Sequence, residues 1–153
     1  MRKIKFRAIG TGKGYPNEGK WCYGNFVHCF ITYFKKQETF DIFFEDHKKN
    51  ESRWAEGIDP DTLGQLTNCT TADGAEIYEG DKLVDDYLPG YYFVVYYDTE
   101  ADAFRLYKRW PDGQILRYQE PLRISLLRYP NLRLDGTIHD DKLAANYLEK
   151  LNS

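Results

Sequence analysis

Long apolar runs are missing from this chain. No stretch approaches the roughly 20 apolar residues of a membrane-spanning helix, so a helical membrane protein is not expected. The opening Met1-Arg2-Lys3-Ile4-Lys5-Phe6-Arg7 alternates charge with apolar side chains and holds no apolar secretory core, which predicts a cytoplasmic protein. Cysteine is sparse: Cys22, Cys29 and Cys69. An odd number without export predicts reduced thiols rather than a disulfide framework. By the same argument Asn68-Cys69-Thr70 is a chance match to the glycosylation triplet. Low-complexity segments and internal repeats are absent, which argues against disorder and against a solenoid.

Catalytic signatures are equally scarce. His28, His47 and His139 show no paired metal spacing. His28 and Cys29 are neighbours on an expected strand and so face opposite sides. There is no Gly-x-Ser-x-Gly and no Walker loop. Gly10-Thr11-Gly12-Lys13-Gly14 lacks the spacing and the following helix start of a phosphate cradle, and reads as a loop. No cofactor is expected.

What the chain does have is rings and turns. With 153 residues it can bury a core without a metal or disulfide staple. Aromatic residues make up 16%, among them 13 Tyr and 9 Phe, so rings are expected to fill that core and to favour strands. The net charge of −3 hides blocks: residues 1–37 carry +7, residues 38–102 carry −13, residues 103–133 carry +5 and the tail −2. Mutual neutralisation is the first expectation. A basic face offered to a polyanion is the second.

Alternation predicts a strand over 4–9, with Ile4, Phe6 and Ala8 on one face. A loop follows over 10–19, then a strand-rich segment over 21–34 that Gly24-Asn25 can turn into a hairpin. A short strand is expected over 39–44 and a charged loop over 46–51. Asp59-Pro60-Asp61-Thr62 reads as a turn, followed by a short strand or one helical turn over 63–66. Asp73-Gly74, Gly80, Pro89-Gly90, 98–102 and Pro111-Asp112-Gly113 punctuate strands over 77–84, 91–97, 104–110 and 114–118. The segment 91–97 is apolar on both faces and should be covered on both. Shorter strands are expected over 122–127 and 133–138. A single helix is predicted last, capped by Asp140, with Leu143, Tyr147 and Leu151 on one face. Strands at this spacing suggest a sandwich or small barrel.

The string Gly57-Ile58-Asp59-Pro60-Asp61-Thr62-Leu63-Gly64-Gln65-Leu66-Thr67, followed by Asp73-Gly74-Ala75-Glu76-Ile77-Tyr78-Glu79-Gly80-Asp81, closely resembles the YopX family of bacteriophage and prophage proteins. That family shows an acid-Pro-acid-Thr-apolar-Gly-Gln stretch and then Gly-x-Glu-Ile-Tyr-Glu-Gly-Asp. The opening Ile4-Lys5-Phe6-Arg7-Ala8, the element around Trp21-Cys22-Tyr23-Gly24 and the tail Leu134 to Leu143 also resemble it, although the family's Asn-Pro is absent from this tail. The resemblance spans nearly the whole chain. It implies an SH3-like barrel and brings no catalytic residues. The fold expected is therefore mainly β: N-terminal antiparallel strands in 1–57, an SH3-like small barrel in 58–138 and a C-terminal α-helix in 139–153, together one unit. Asp59, Pro60, Gly64, Gln65, Ile77, Tyr78, Gly80 and Asp81 are read as structural: Gly80 for a positive φ, Asp81 for backbone N–H groups, Ile77 and Leu83 inward, and Tyr78 over the barrel rim.

Three functions remain. The preferred one is a phage-related, non-enzymatic binding or assembly module working as a homo-oligomer, with a phage or host protein as a possible partner. The second is a nucleic-acid binder using Arg105, Tyr107, Arg109, Arg117 and Tyr118, because cations interleaved with rings suit single strands. The third is a metal-dependent hydrolase gathering acids such as Asp81, Asp85 and Asp86, with Arg105 or Lys108 as phosphate clamp.

Overall fold

The computed structural model describes residues 4–11, 18–31, 37–44 and 54–143; of residues 25–31, 37–44 and 54–56 it describes the backbone alone. The chain is mainly β with antiparallel pairings. It divides into two compact units, one built on Lys3–Gln65 and Asp141–Ser153, the other on Leu66–Asp140.

The first unit holds β1 (Phe6–Gly10), β2 (Trp21–Ile31), β3 (Gln37–Phe44) and most of β4 (Trp54–Thr70). Each strand pairs with the next, and β4 also pairs back onto β1, so the strand order closes on itself. The expected hairpin at Gly24-Asn25 does not form. Strand β2 runs straight through, because Gly24 is the last residue paired to β1 (opposite Phe6) and Asn25 the first paired to β3 (opposite Phe43). Glycine marks a change of partner here, not a turn. Ala8, Cys22 and Ile58 form a small buried cluster with Leu63 against it.

Within the second unit, the end of β4 pairs with β5 (Glu76–Tyr78). Then follow β6 (Asp81–Val84), β7 (Tyr92–Asp98), β8 (Ala103–Arg109), β9 (Ile115–Arg117), the helix α1 (Leu122–Arg128) and β10 (Arg133–Thr137), with sheet order β10-β6-β7-β8-β9. The turns fall where glycine and aspartate stand: Gly74, Gly80, Gly90 and Gly113 all have positive φ. The core consists of Ile77, Leu83, Phe93, Val95, Phe104, Leu106, Leu122 and Leu132. Aliphatic side chains, not rings, dominate it. Tyr91, Tyr97, Tyr118 and Tyr129 pack around it half-buried, because each phenol needs water or a partner for its hydroxyl. Each fully buried Leu, Ile or Phe contributes about 1.5–3 kcal/mol.

Residues 122–128 are helical, where a strand was expected. Leu122, Ser125, Leu126 and Tyr129 follow a helical spacing; Leu122 and Ser125 are buried, and Leu126 and Tyr129 pack on the core. Pro121 supplies a compatible φ of −60° at the helix start. Burying Ser125 is tolerated because its hydroxyl donates to Glu120 at 3.0 Å, and Glu120 also pairs with Arg128 at 2.7 Å.

Residues 138 and 139 form a turn held by the side chains of Thr137 and Asp140. Thr137 Oγ1 accepts the His139 N–H at 3.0 Å, and the Asp140 carboxylate accepts the Thr137 N–H at 3.0 Å. That reciprocal pair closes the turn ahead of residue 140. Residues 140–143 are helical, and the rest of the expected helix lies outside the described residues, as does the expected loop over 46–51. Among the described residues no helix is long and apolar enough to cross a membrane.

Candidate functional site

The two sequence motifs build backbone geometry. Between the pairs Ile9↔Asp59 and Arg7↔Gly64, five steps along β4 answer two along β1. The extra residues form a bulge around Asp59-Pro60-Asp61-Thr62, so the expected turn is an interruption inside one continuous strand. Proline is tolerated there because a bulge leaves its nitrogen out of the ladder. Asp59 Oδ1 accepts the Asp61 N–H at 3.0 Å, as in an Asx turn. The buried Thr62 hydroxyl donates to Asp59 O at 2.7 Å and accepts the Ile9 N–H at 2.8 Å. Lys142 pairs with Asp59 Oδ2 at 2.8 Å, and that carboxylate lifts the lysine above its ordinary range. Gly64 stands buried opposite Arg7, and Gln65 stands opposite Phe6.

The second motif closes the β5–β6 turn. Buried Asp81 accepts the Tyr78 N–H at 2.7 Å. Gly80, at φ +87°, donates to Val95 O and accepts from the Ile138 N–H, tying the turn to β7 and β10. Ile77 and Leu83 point into the core as expected. Tyr78, expected over the barrel rim, is buried, at 4% exposed.

Asp81, Asp85, Asp86 and Asp73 have separate duties. Asp81 holds the β5–β6 turn. Asp85 accepts the Tyr87 N–H at 2.9 Å. Asp86 makes a two-pronged pair with Arg133, at 2.8 Å on each oxygen, which holds its carboxyl below the usual range. Asp73 accepts from the Thr71 hydroxyl, which lowers it likewise. Among the described residues no three His, Cys, Asp or Glu side chains gather as a metal would require.

The basic and aromatic residues do come together, in a corrected set. Register places Tyr96 opposite Arg105, Val94 opposite Tyr107, Tyr92 opposite Arg109, Tyr107 opposite Arg117 and Lys82 opposite Val94. Paired residues share a face, so Lys82, Tyr92, Tyr96, Arg105, Tyr107, Arg109 and Arg117 all lie on one side of β6–β9. Tyr96 and Tyr107 rings lie 5.7 Å apart, Arg117 lies 5.9 Å from the Tyr96 ring, and Lys82 lies 5.1 Å from the Tyr92 ring. Burial lifts the Tyr107 phenol above its ordinary range.

Two expected members behave otherwise. Tyr118 lies on the core side, 5.8 Å from Phe93 and hydroxyl to hydroxyl with Tyr129. Arg105 is on the face but held by Asp98 at 2.8 Å and near Gln119 Oε1 at 3.4 Å. Charge neutralisation thus operates at Arg105 and at Arg133, whose partners Asp98 and Asp86 come from the acidic block. Arg109 and Arg117, both exposed, have no carboxylate partner among the described residues.

Sequence reasoning missed Lys82, Tyr92 and Tyr96 as members of this face, although alternation along β7 carries the signal for the tyrosines. Next to them an open cleft of about 560 Å³ is lined by Tyr96, Asp98, Glu100, Arg105, Arg117 and Gln119; the Arg105 Nε is buried and has no hydrogen-bond partner. A second, apolar cleft of about 380 Å³ lies between the end of β4 and α1, lined by Cys69, Leu126, Leu127, Tyr129, Pro130 and Leu132.

No protein-family model matches the chain, and no curated protein matches it.

Proposed function

We propose that the chain is a non-enzymatic binding module, phage-related as its sequence resemblance implies, whose ligand face is the outer side of β6–β9 and whose ligand is a polyanion. The observation that carries this reading is the pair Arg109 and Arg117: exposed guanidinium groups without acid partners, set among three tyrosines on one sheet face. Asp59 and Asp81, whose carboxylates accept backbone N–H groups, support binding rather than reaction as the mode of action. The sheet order β10-β6-β7-β8-β9, in which the last strand returns beside the first after a short helix, supports an SH3-like barrel in the Leu66–Asp140 unit. A homo-oligomer is part of the proposal, and light scattering after size exclusion tests it: a monomer at high concentration removes it.

The binding face is tested by retention on immobilised heparin. The wild-type chain should elute at higher salt than Arg109→Glu/Arg117→Glu, while Arg123→Glu on α1 should elute with wild type. Equal elution of all three overturns the reading.

A further inference from the structure

We infer that the polyanion is a single-stranded nucleic acid, its bases stacked on Tyr96 and Tyr107 and its phosphates held by Arg109 and Arg117; this rests on the binding-module reading above. A polyanion without rings has no use for tyrosines, yet each free cation here lies beside one. Arg109 faces Tyr92 across the strands, and Arg117 faces Tyr107 and approaches Tyr96.

The Tyr96 and Tyr107 rings stand on neighbouring strands, their centroids 5.7 Å apart and their planes tilted by 51°. That spacing is wider than the roughly 3.4 Å step along each strand of a duplex. Rings so spaced accept bases that have come apart from one another, which a single strand allows and a duplex does not. A sheet face of rings flanked by arginines is also sequence-tolerant, because every base presents a π-face. The adjoining cleft is open at Arg117, which lines it beside Tyr96. Asp98 and Glu100 in the same cleft confine the phosphate track to the Arg109–Arg117 side by repulsion.

The test is fluorescence anisotropy of a labelled oligothymidylate, its duplex with oligoadenylate and heparin as competitor, against wild type, Tyr96→Leu/Tyr107→Leu and Arg109→Gln/Arg117→Gln. The single strand should bind more tightly than the duplex. The tyrosine variant should weaken it roughly 5- to 150-fold per ring lost, while leaving heparin competition unchanged. The arginine variant alters two exposed side chains, so it tests the proposal even if the tyrosine variant does not fold. It should lower the slope of log affinity against log salt by about 1.4. Heparin binding with no preference for the single strand, or an unchanged affinity in the tyrosine variant, overturns this inference and leaves the polyanion face standing. No binding of heparin or oligonucleotide at low salt overturns both.

Discussion

Thr62 stands where a backbone carbonyl would otherwise stand opposite Ile9: its hydroxyl accepts the Ile9 N–H at 2.8 Å while donating to Asp59 O at 2.7 Å. The bulge at Asp59-Pro60 pulls the β4 carbonyls out of register with β1, and a buried amide left behind would cost about 1–3 kcal/mol. One threonine side chain repairs the ladder. Thr62→Val, equal in shape, should therefore destabilise the protein by about 1–3 kcal/mol in urea unfolding, whereas Thr62→Ser should lose clearly less. Equal losses in the two variants would mean that packing, not the hydroxyl, matters at this position.

Gly80 permits the β5–β6 turn to lie against β7 and β10. At φ +87° an alanine is strained by about 1–2 kcal/mol, and its Cβ would meet His139 Nε2 at 3.4 Å. Gly80→Ala should lower stability by at least that amount. Gly74→Ala, at the same φ but with open space around it, should pay only the backbone part. The difference in unfolding free energy between the two variants measures the contact with His139.

The helix α1 makes a prediction that a strand would reverse. Leu122 is 2% exposed and Ile124 is 44% exposed. Leu122→Ala should cost about 2–5 kcal/mol. Ile124→Ala should cost much less, although the two would share one face in a strand. Similar large losses at both positions would restore the strand.

Acid should act on the Asp86–Arg133 pair and on Asp73. Both carboxyls titrate below the usual aspartate value of about 3.9 in the folded chain. A depressed folded-state pKa gives a contribution that is complete above the unfolded value and fades as pH falls through the folded one. Carboxyl-carbon chemical shifts should place both midpoints below those of a denatured control, and Arg133→Gln should return Asp86, but not Asp73, toward the control.

The turn positions were legible because glycine and aspartate act locally: Gly74, Gly80, Gly90 and Gly113 each sit where a positive φ is needed, whatever packs nearby. What was hidden depends on partners distant in sequence. Asp59-Pro60-Asp61-Thr62 has turn chemistry, but whether the chain turns or bulges is decided by β1, some fifty residues earlier. Gly24-Asn25 looks like a hairpin until β1 and β3 take up its two sides. The segment around Leu122, Ile124 and Leu126 fits both periods, and the helical one was masked because its face includes a buried serine. Tyr118 was grouped with Arg117, although neighbours in extended chain point to opposite sides. Lys108, considered as a phosphate clamp, has its ammonium 4.1 Å from the centre of the Tyr91 ring and 5.3 Å from that of Trp110, at the edge of the core.

Amide chemical-shift mapping with an oligothymidylate of about ten nucleotides, within the range such surfaces cover, tests the division of labour between motif and face most directly. Perturbations should centre on β7, β8 and β9, strongest near Tyr96, Tyr107 and Arg117, and should spare Asp59 to Thr62 and Tyr78 to Asp81. Perturbations centred on those motif turns, or on the cleft beside α1, would contradict it.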